Sequence, residues 1–195
     1  LRSVTLRRRY MMTYESLFRD AAARIVRRET KAVGRIITAE MAERSIPNLM
    51  KRLNDFYGDF KRDVRDGFQP LLRGYMEVVG AAAAEEINED WDMKGEPERF
   101  VRDYADTMAA RHARSSRGQL MKLIDETPPD ELEDALRTRL EEWEEKRPGR
   151  VAQREVVQSS GAFARMVYAA AAVSMVWMTL GESCPLCSSM DGRTI

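Results

Sequence analysis

Proline, glycine, histidine and cysteine are all scarce in this chain, and each scarcity excludes something. Only 7 prolines and 11 glycines punctuate 195 residues, of which 44% are apolar and 33% charged. That balance favours folded helix over disorder. Two cysteines, close together, do not make the disulfide framework of a small secreted domain. The single histidine, His112, follows Tyr104 and Met108 at four-residue steps. This is the spacing of a packed or surface helix position, so His112 is not expected to be a general base. The most apolar stretch, 166–180, is rich in alanine and shorter than the roughly 18 to 20 residues a membrane span needs, so it is expected to be buried core. Arginine-rich opening residues without an apolar segment after them are unlike a secretory leader, and a cytoplasmic origin is expected. A phosphate-binding glycine loop, a nucleophile elbow and a metalloprotease helix are all missing, so no enzymatic activity is expected.

Net charge is also missing, because Lys plus Arg and Asp plus Glu both total 32. The charges are nevertheless segregated. Arg2, Arg7, Arg8, Arg9, Arg19, Arg24, Arg27, Arg28, Lys31 and Arg35 make the start basic, and Asp125, Glu126 and the carboxylates from Asp130 to Glu145 make a later stretch acidic. Such a chain offers partners two electrostatic faces, or simply carries two solvated helix surfaces. Glu141, Glu142, Glu144 and Glu145 sit side by side without an apolar setting and read as a solvated face.

What the chain has in abundance is helical periodicity. Tyr14, Phe18, Ala21, Ile25, Val33, Ile36 and Ile37 recur at steps of mostly three and four, the signature of one helix face. Ser45 and Pro47 mark a restart, after which Leu49, Leu53, Phe56, Phe60, Val64, Leu72, Tyr75 and Val79 continue the period. Gly67 and Pro70 predict a kink or break near Gln69, since an interior proline removes a backbone donor and crowds the preceding turn. The polar run 88–95 ends that helix, and Glu96-Pro97 opens the next, with Phe100, Tyr104, Met108, Leu120 and Leu123 on its apolar side. Thr127-Pro128-Pro129-Asp130 is a further boundary before a helix presenting Leu132, Leu136, Leu140 and Trp143. Arg147-Pro148-Gly149 predicts a turn, and a last helix is expected over 151–172.

The pattern then changes. Residues 173–179 are rich in Val, Met and Trp and predict a strand, with Asp191-Gly192 as the turn of a hairpin. The expected fold class is therefore mainly α, with long amphipathic helices followed by a small α+β C-terminal part. Cys184-Pro185-Leu186-Cys187 lies in that part, and two thiolates two residues apart in a tight turn can face one tetrahedral zinc. They make half a site, to be completed in a longer chain, or else a reduced or locally paired structural turn.

The stretch from Arg154-Glu155 through Trp177-Met178-Thr179 to Gly181-Glu182-Ser183, the Cys184/Cys187 turn and Asp191-Gly192 resembles the core of the phage head morphogenesis domain found in minor head proteins of tailed phages. In that family a helix with an Arg-Thr-Glu-like motif leads to a strand ending in Trp-x-Thr, then a Cys-x-x-Cys turn and a Leu-Asp-Gly-like end. This chain departs from the pattern with Gln153-Arg154-Glu155 and with Ser188-Ser189-Met190 before Asp-Gly. The resemblance covers about the last quarter of the chain. It implies a helical arm or bundle over 1–126 and the start of the head morphogenesis domain over 127–195. Family members carry a further His-Pro-x-Cys-x-Cys-like segment, which implies that the remaining zinc ligands lie past Ile195.

The implied role is a minor capsid component of the phage head interior, present in few copies at the portal vertex and aiding procapsid assembly, genome packaging or ejection. The implied partners are the portal protein and other head proteins, with non-specific contact to phage DNA and self-association also open. Arg7, Arg8 and Arg9 are the candidate steering charges, and Phe18 and Ile25 the candidate apolar anchors on the same helix. A DNA-binding module, the leading domain of a polymorphic toxin and a plain coiled-coil scaffold are the alternatives.

Overall fold

The computed structural model describes residues 2–174, 176–177, 179 and 184–194, with the side chains of residues 2–4 and 7 outside that description. Helices α1 (Arg2–Ala42), α2 (Ile46–Glu86), α3 (Glu96–Glu126) and α4 (Leu132–Ala170) form a four-helix bundle, and a short α5 (Pro185–Met190) follows. Consecutive helices run antiparallel, since connections this short leave no room for a crossover. The same order appears in the contacts, where Tyr14 meets Gly74, Arg73 meets Glu98, and Thr38 meets Arg137. α1 packs on α2 and α4, and α2 reaches across the bundle to α4.

The bundle forms because each long helix carries a stripe that only its neighbours can cover. Along α2, Leu49, Leu53, Tyr57, Phe60, Val64, Phe68, Leu72, Tyr75, Met76 and Val79 are all buried. Phe18 of α1 lies 6.3 Å from Phe68 and 5.7 Å from Tyr75, and Phe163 of α4 gathers Tyr75, Phe100 and Tyr104 within 6.2 Å, centroid to centroid. Fully burying side chains of this size stabilises by about 1.5–3 kcal/mol each, so the shared aromatic cluster is a main adhesive between helices. The expected boundary between residues 126 and 127 coincides with the α3–α4 turn, and the core is continuous across it.

A kink or break is expected near Pro70 and a turn at Pro148, and neither proline ends a helix. α2 runs through Pro70 and α4 through Pro148. Buried side chains on both sides hold the helix together: Phe68 and Leu72 around Pro70, and Trp143 and Val151 around Pro148. Losing one backbone hydrogen bond costs less than withdrawing those anchors would.

Three helix ends share a different stop signal. Arg44, Asn88 and Ala172 adopt left-handed φ of 51°, 55° and 54°. In each case the next N–H reaches back five residues: Ser45 to Glu40, Glu89 to Ala84 and Val173 to Tyr168. This is the arrangement usually built with glycine, and here it ends α4 at Ala170, two residues before the predicted end.

Of the expected C-terminal strand over 173–179, the described residues show a single antiparallel bridge, Val176 to Thr194, and no sheet. Positions 175 and 178 of that stretch lie outside the described residues.

One glycine is required by packing. A Cβ on Gly80 would fall 2.1 Å from the Trp91 ring, whereas one on Gly58, in the same helix, would meet nothing within 4 Å. Gly80→Ala is therefore expected to destabilise the chain by about 1–3 kcal/mol through overpacking, against a gain of about 0.5–1 kcal/mol for Gly58→Ala. Urea denaturation of the two variants checks the opposite signs.

Candidate functional site

Glu29 lies on the buried face of α1, one turn from Ile25 and Val33, and has no solvent exposure. A carboxylate there needs partners, and each of the other three long helices supplies one. Tyr57 of α2 donates its hydroxyl to Oε1 at 2.9 Å, and Nε2 of His112 in α3 lies 2.8 Å from Oε2. Nη1 of Arg147 in α4 is 3.5 Å from the same oxygen. Burial pushes the Glu29 carboxyl up, but the hydrogen bond from His112 and the pull of His112 and Arg147 outweigh it and hold the group below the usual carboxylate range. Burial, followed by the adjacent Glu29 charge, pushes the Tyr57 phenol far up, so it keeps the proton that it donates to Glu29.

Arg147 is fixed from several sides. Nη1 donates to Ser116 Oγ at 2.7 Å, and the guanidinium carbon lies 3.5 Å from the Trp143 ring centroid. Trp143 is itself held by Gln119, whose Oε1 accepts from the indole N–H at 3.2 Å. Burial lowers the Arg147 pKa, Glu29 opposes that, and Arg139 and Arg154 push in the same direction as burial. Two turns further along α4, the fully buried Glu155 accepts from Arg111 Nη2 at 2.8 Å on both oxygens, from Arg154 Nε at 2.9 Å and from the Tyr104 hydroxyl at 3.3 Å.

Above these two buried carboxylates, α3 and α4 enclose a cleft of about 210 Å³. Arg139, Lys146, Arg147, Arg150 and Arg154 line it from α4, together with Trp143, Val151 and one carboxylate, Glu142; His112, Ser115 and Gln119 line it from α3. The cations recur along one face of α4, so the helix turns a linear pattern into a positively charged wall.

The residues singled out from the sequence fall into three groups. Phe18 and Ile25, expected as partner anchors, face the bundle interior at 0% and 6% exposure, which corrects that expectation. The apolar stripe of α1 is consumed within the chain by α2 and α4. Arg8 and Arg9 are exposed on α1, while the side chain of Arg7 lies outside the described residues.

The motif residues near the end come together. Trp177 N–H donates to Arg193 O, and Gly192 N–H to Trp177 O, both at 2.9 Å. Thr179 N–H donates to Asp191 Oδ1 at 2.8 Å. Gly192 has a φ of +75°, a conformation glycine adopts without strain. Arg154 and Glu155 belong instead to the buried layer of α4. The motif positions Met178, Gly181, Glu182 and Ser183 lie outside the described residues.

Cys184 caps α5, and its Sγ accepts from Cys187 N–H at 3.4 Å. That bond lowers the Cys184 thiol pKa, and the hydrogen bond between the two thiols raises that of Cys187. The pair fits half of a thiolate set for zinc, and among the described residues no group of three or more Cys, His, Asp or Glu gathers. A third surface feature is a groove of about 840 Å³ lined by Phe100, Val157, Met166 and Trp177.

No sequence motif marks the Glu29 layer. The available clue was a carboxylate and a histidine each at a core register, Glu29 between Ile25 and Val33, and His112 after Met108. Comparison of the chain with protein-family models, with curated proteins and with solved structures finds no match.

Proposed function

We propose that this chain is a virion-assembly component, a minor head protein of a tailed phage that works at the portal vertex in procapsid assembly, genome packaging or ejection. The observation that carries this reading is the joining of Trp177, Thr179, Asp191 and Gly192, residues on which the resemblance rests, into one hydrogen-bonded unit around the cysteine turn. Their spacing thus has a physical reason in this chain.

A helix of 41 residues is about 60 Å long, so the bundle is a stiff body that can bridge neighbouring head components. With Phe18 and Ile25 occupied inside, the apolar part of a portal contact falls to the groove beside Trp177. Its rim residue Val157 is 58% exposed and Trp177 is 38% exposed. Arg8 and Arg9 add salt-sensitive steering.

Gradient fractionation of infected cells tests the role. The protein is expected to sediment with procapsids at a few copies per particle. Its absence from procapsids and virions, while the free protein is abundant, would remove the assembly reading.

A further inference from the structure

We propose that the cleft between α3 and α4 is a binding site for phosphate groups, those of a nucleic-acid strand or of a small phosphate compound. The inference stands on the cleft alone and does not depend on the assembly role.

Five cationic side chains and one carboxylate line the cleft. Arg154 is paired from behind by Glu155, Arg147 by Glu29, and Arg139 is balanced by Glu142 at 3.5 Å. Lys146 and Arg150 have no ion-pair partner among the described residues, and both are exposed. Arg147 keeps a buried Nη2 without a hydrogen-bond partner, so the protein leaves one of its donors unsatisfied.

An ordinary solvated helix face does not look like this. Its cations are mobile and interspersed with carboxylates, and ordering them on a ligand costs about 0.5–1.5 kcal/mol per side chain. Here the buried carboxylates and the Trp143 ring already hold two guanidinium groups in place. A planar guanidinium presents paired donors that match phosphate oxygens, and a neighbouring lysine adds a compact charge. The chain has no net charge, so attraction of a polyanion must come from a local concentration of cations such as this one.

Length favours a strand over a single phosphate. From Arg139 to Arg154 the wall extends about 22 Å at 1.5 Å per residue. Nucleic-acid phosphates on one strand follow every 3.4 Å or so of helix rise, so several could lie along it.

The test uses the intact chain in two titrations, one with a mixed-sequence DNA duplex of about 20 base pairs at several salt concentrations, the other with inorganic pyrophosphate. Lys146→Glu with Arg150→Glu is compared with Arg8→Glu with Arg9→Glu, which makes the same charge change on exposed positions of α1. The cleft variant is expected to keep its circular dichroism, to lose about tenfold or more in duplex affinity, and to flatten the log–log salt slope by about 1.8, the value for two lost phosphate contacts. The α1 variant should keep most of its affinity. Pyrophosphate binding that is lost in the cleft variant, without duplex binding, assigns the site to small phosphate compounds. Binding of neither probe, or equal loss in the two variants, overturns the proposal.

Discussion

Glu29→Ala is expected to destabilise the folded chain by about 3–5 kcal/mol, the cost typical of removing one partner from a buried ion pair. The loss exceeds that of one hydrogen bond because three groups are stranded together. Tyr57 and His112 lose their acceptor, and the buried Arg147 guanidinium loses its countercharge. For a chain of this size the shift in Tm should be on the order of 10 °C. Acidification should act in the same direction. The folded-state carboxyl titrates below its unfolded value of 4.5, so its contribution is present above that value and is lost as pH falls through the folded pKa. Thermal melts of wild type and variant at neutral pH and near pH 4 check both parts. The variant should be much less stable at neutral pH and should lose less on acidification. A drop below about 1 kcal/mol with unchanged pH dependence would mean that Glu29 is not the hub of the bundle.

Phe18→Asp should unfold the chain, and Phe18→Ala should cost about 3–5 kcal/mol. Phe18 has no solvent exposure and packs against both Phe68 and Tyr75. Alanine removes the ring and leaves a cavity, whereas aspartate also places an unpaired charge in the aromatic cluster. The contrast with a docking residue is direct. An exposed anchor would lose partner binding with an unchanged melt, while Phe18 should lose its melt first. Circular dichroism and urea denaturation of the two variants distinguish these outcomes, and native stability in both would put Phe18 outside the core.

The four long helices were legible because their stripes repeat every three to four residues over many turns. The Ser45-Pro47 and Glu96-Pro97 starts were legible because proline suits a first helical turn. Helices α2 and α4 continue through Pro70 and Pro148 because the proline signal is local, and flanking core residues outweigh the loss of one hydrogen bond. The end of α4 was placed two residues late because its left-handed position is occupied by Ala172, which carries no glycine signal.

Phe18 and Ile25 lie on an apolar stripe that is visible in the sequence, but periodicity does not say whether a stripe meets a partner or its own chain. The Glu29–His112 pair was hidden because its members are 83 residues apart. The cationic wall of α4 was masked in the sequence by the carboxylates interleaved with it, of which only Glu142 lines the cleft.

The assembly role is tested most directly at the portal. Intact, full-length protein should be retained by the portal protein encoded in the same genome. Retention should weaken when Val157, an exposed side chain on the rim of the Trp177 groove, is replaced by Asp, with the circular dichroism unchanged. Neutralising Arg7, Arg8 and Arg9 should slow the association and flatten its salt dependence. Failure of the intact protein to bind the portal, together with strong salt-dependent DNA binding by the same sample, would contradict the assembly role and leave nucleic-acid binding as the function.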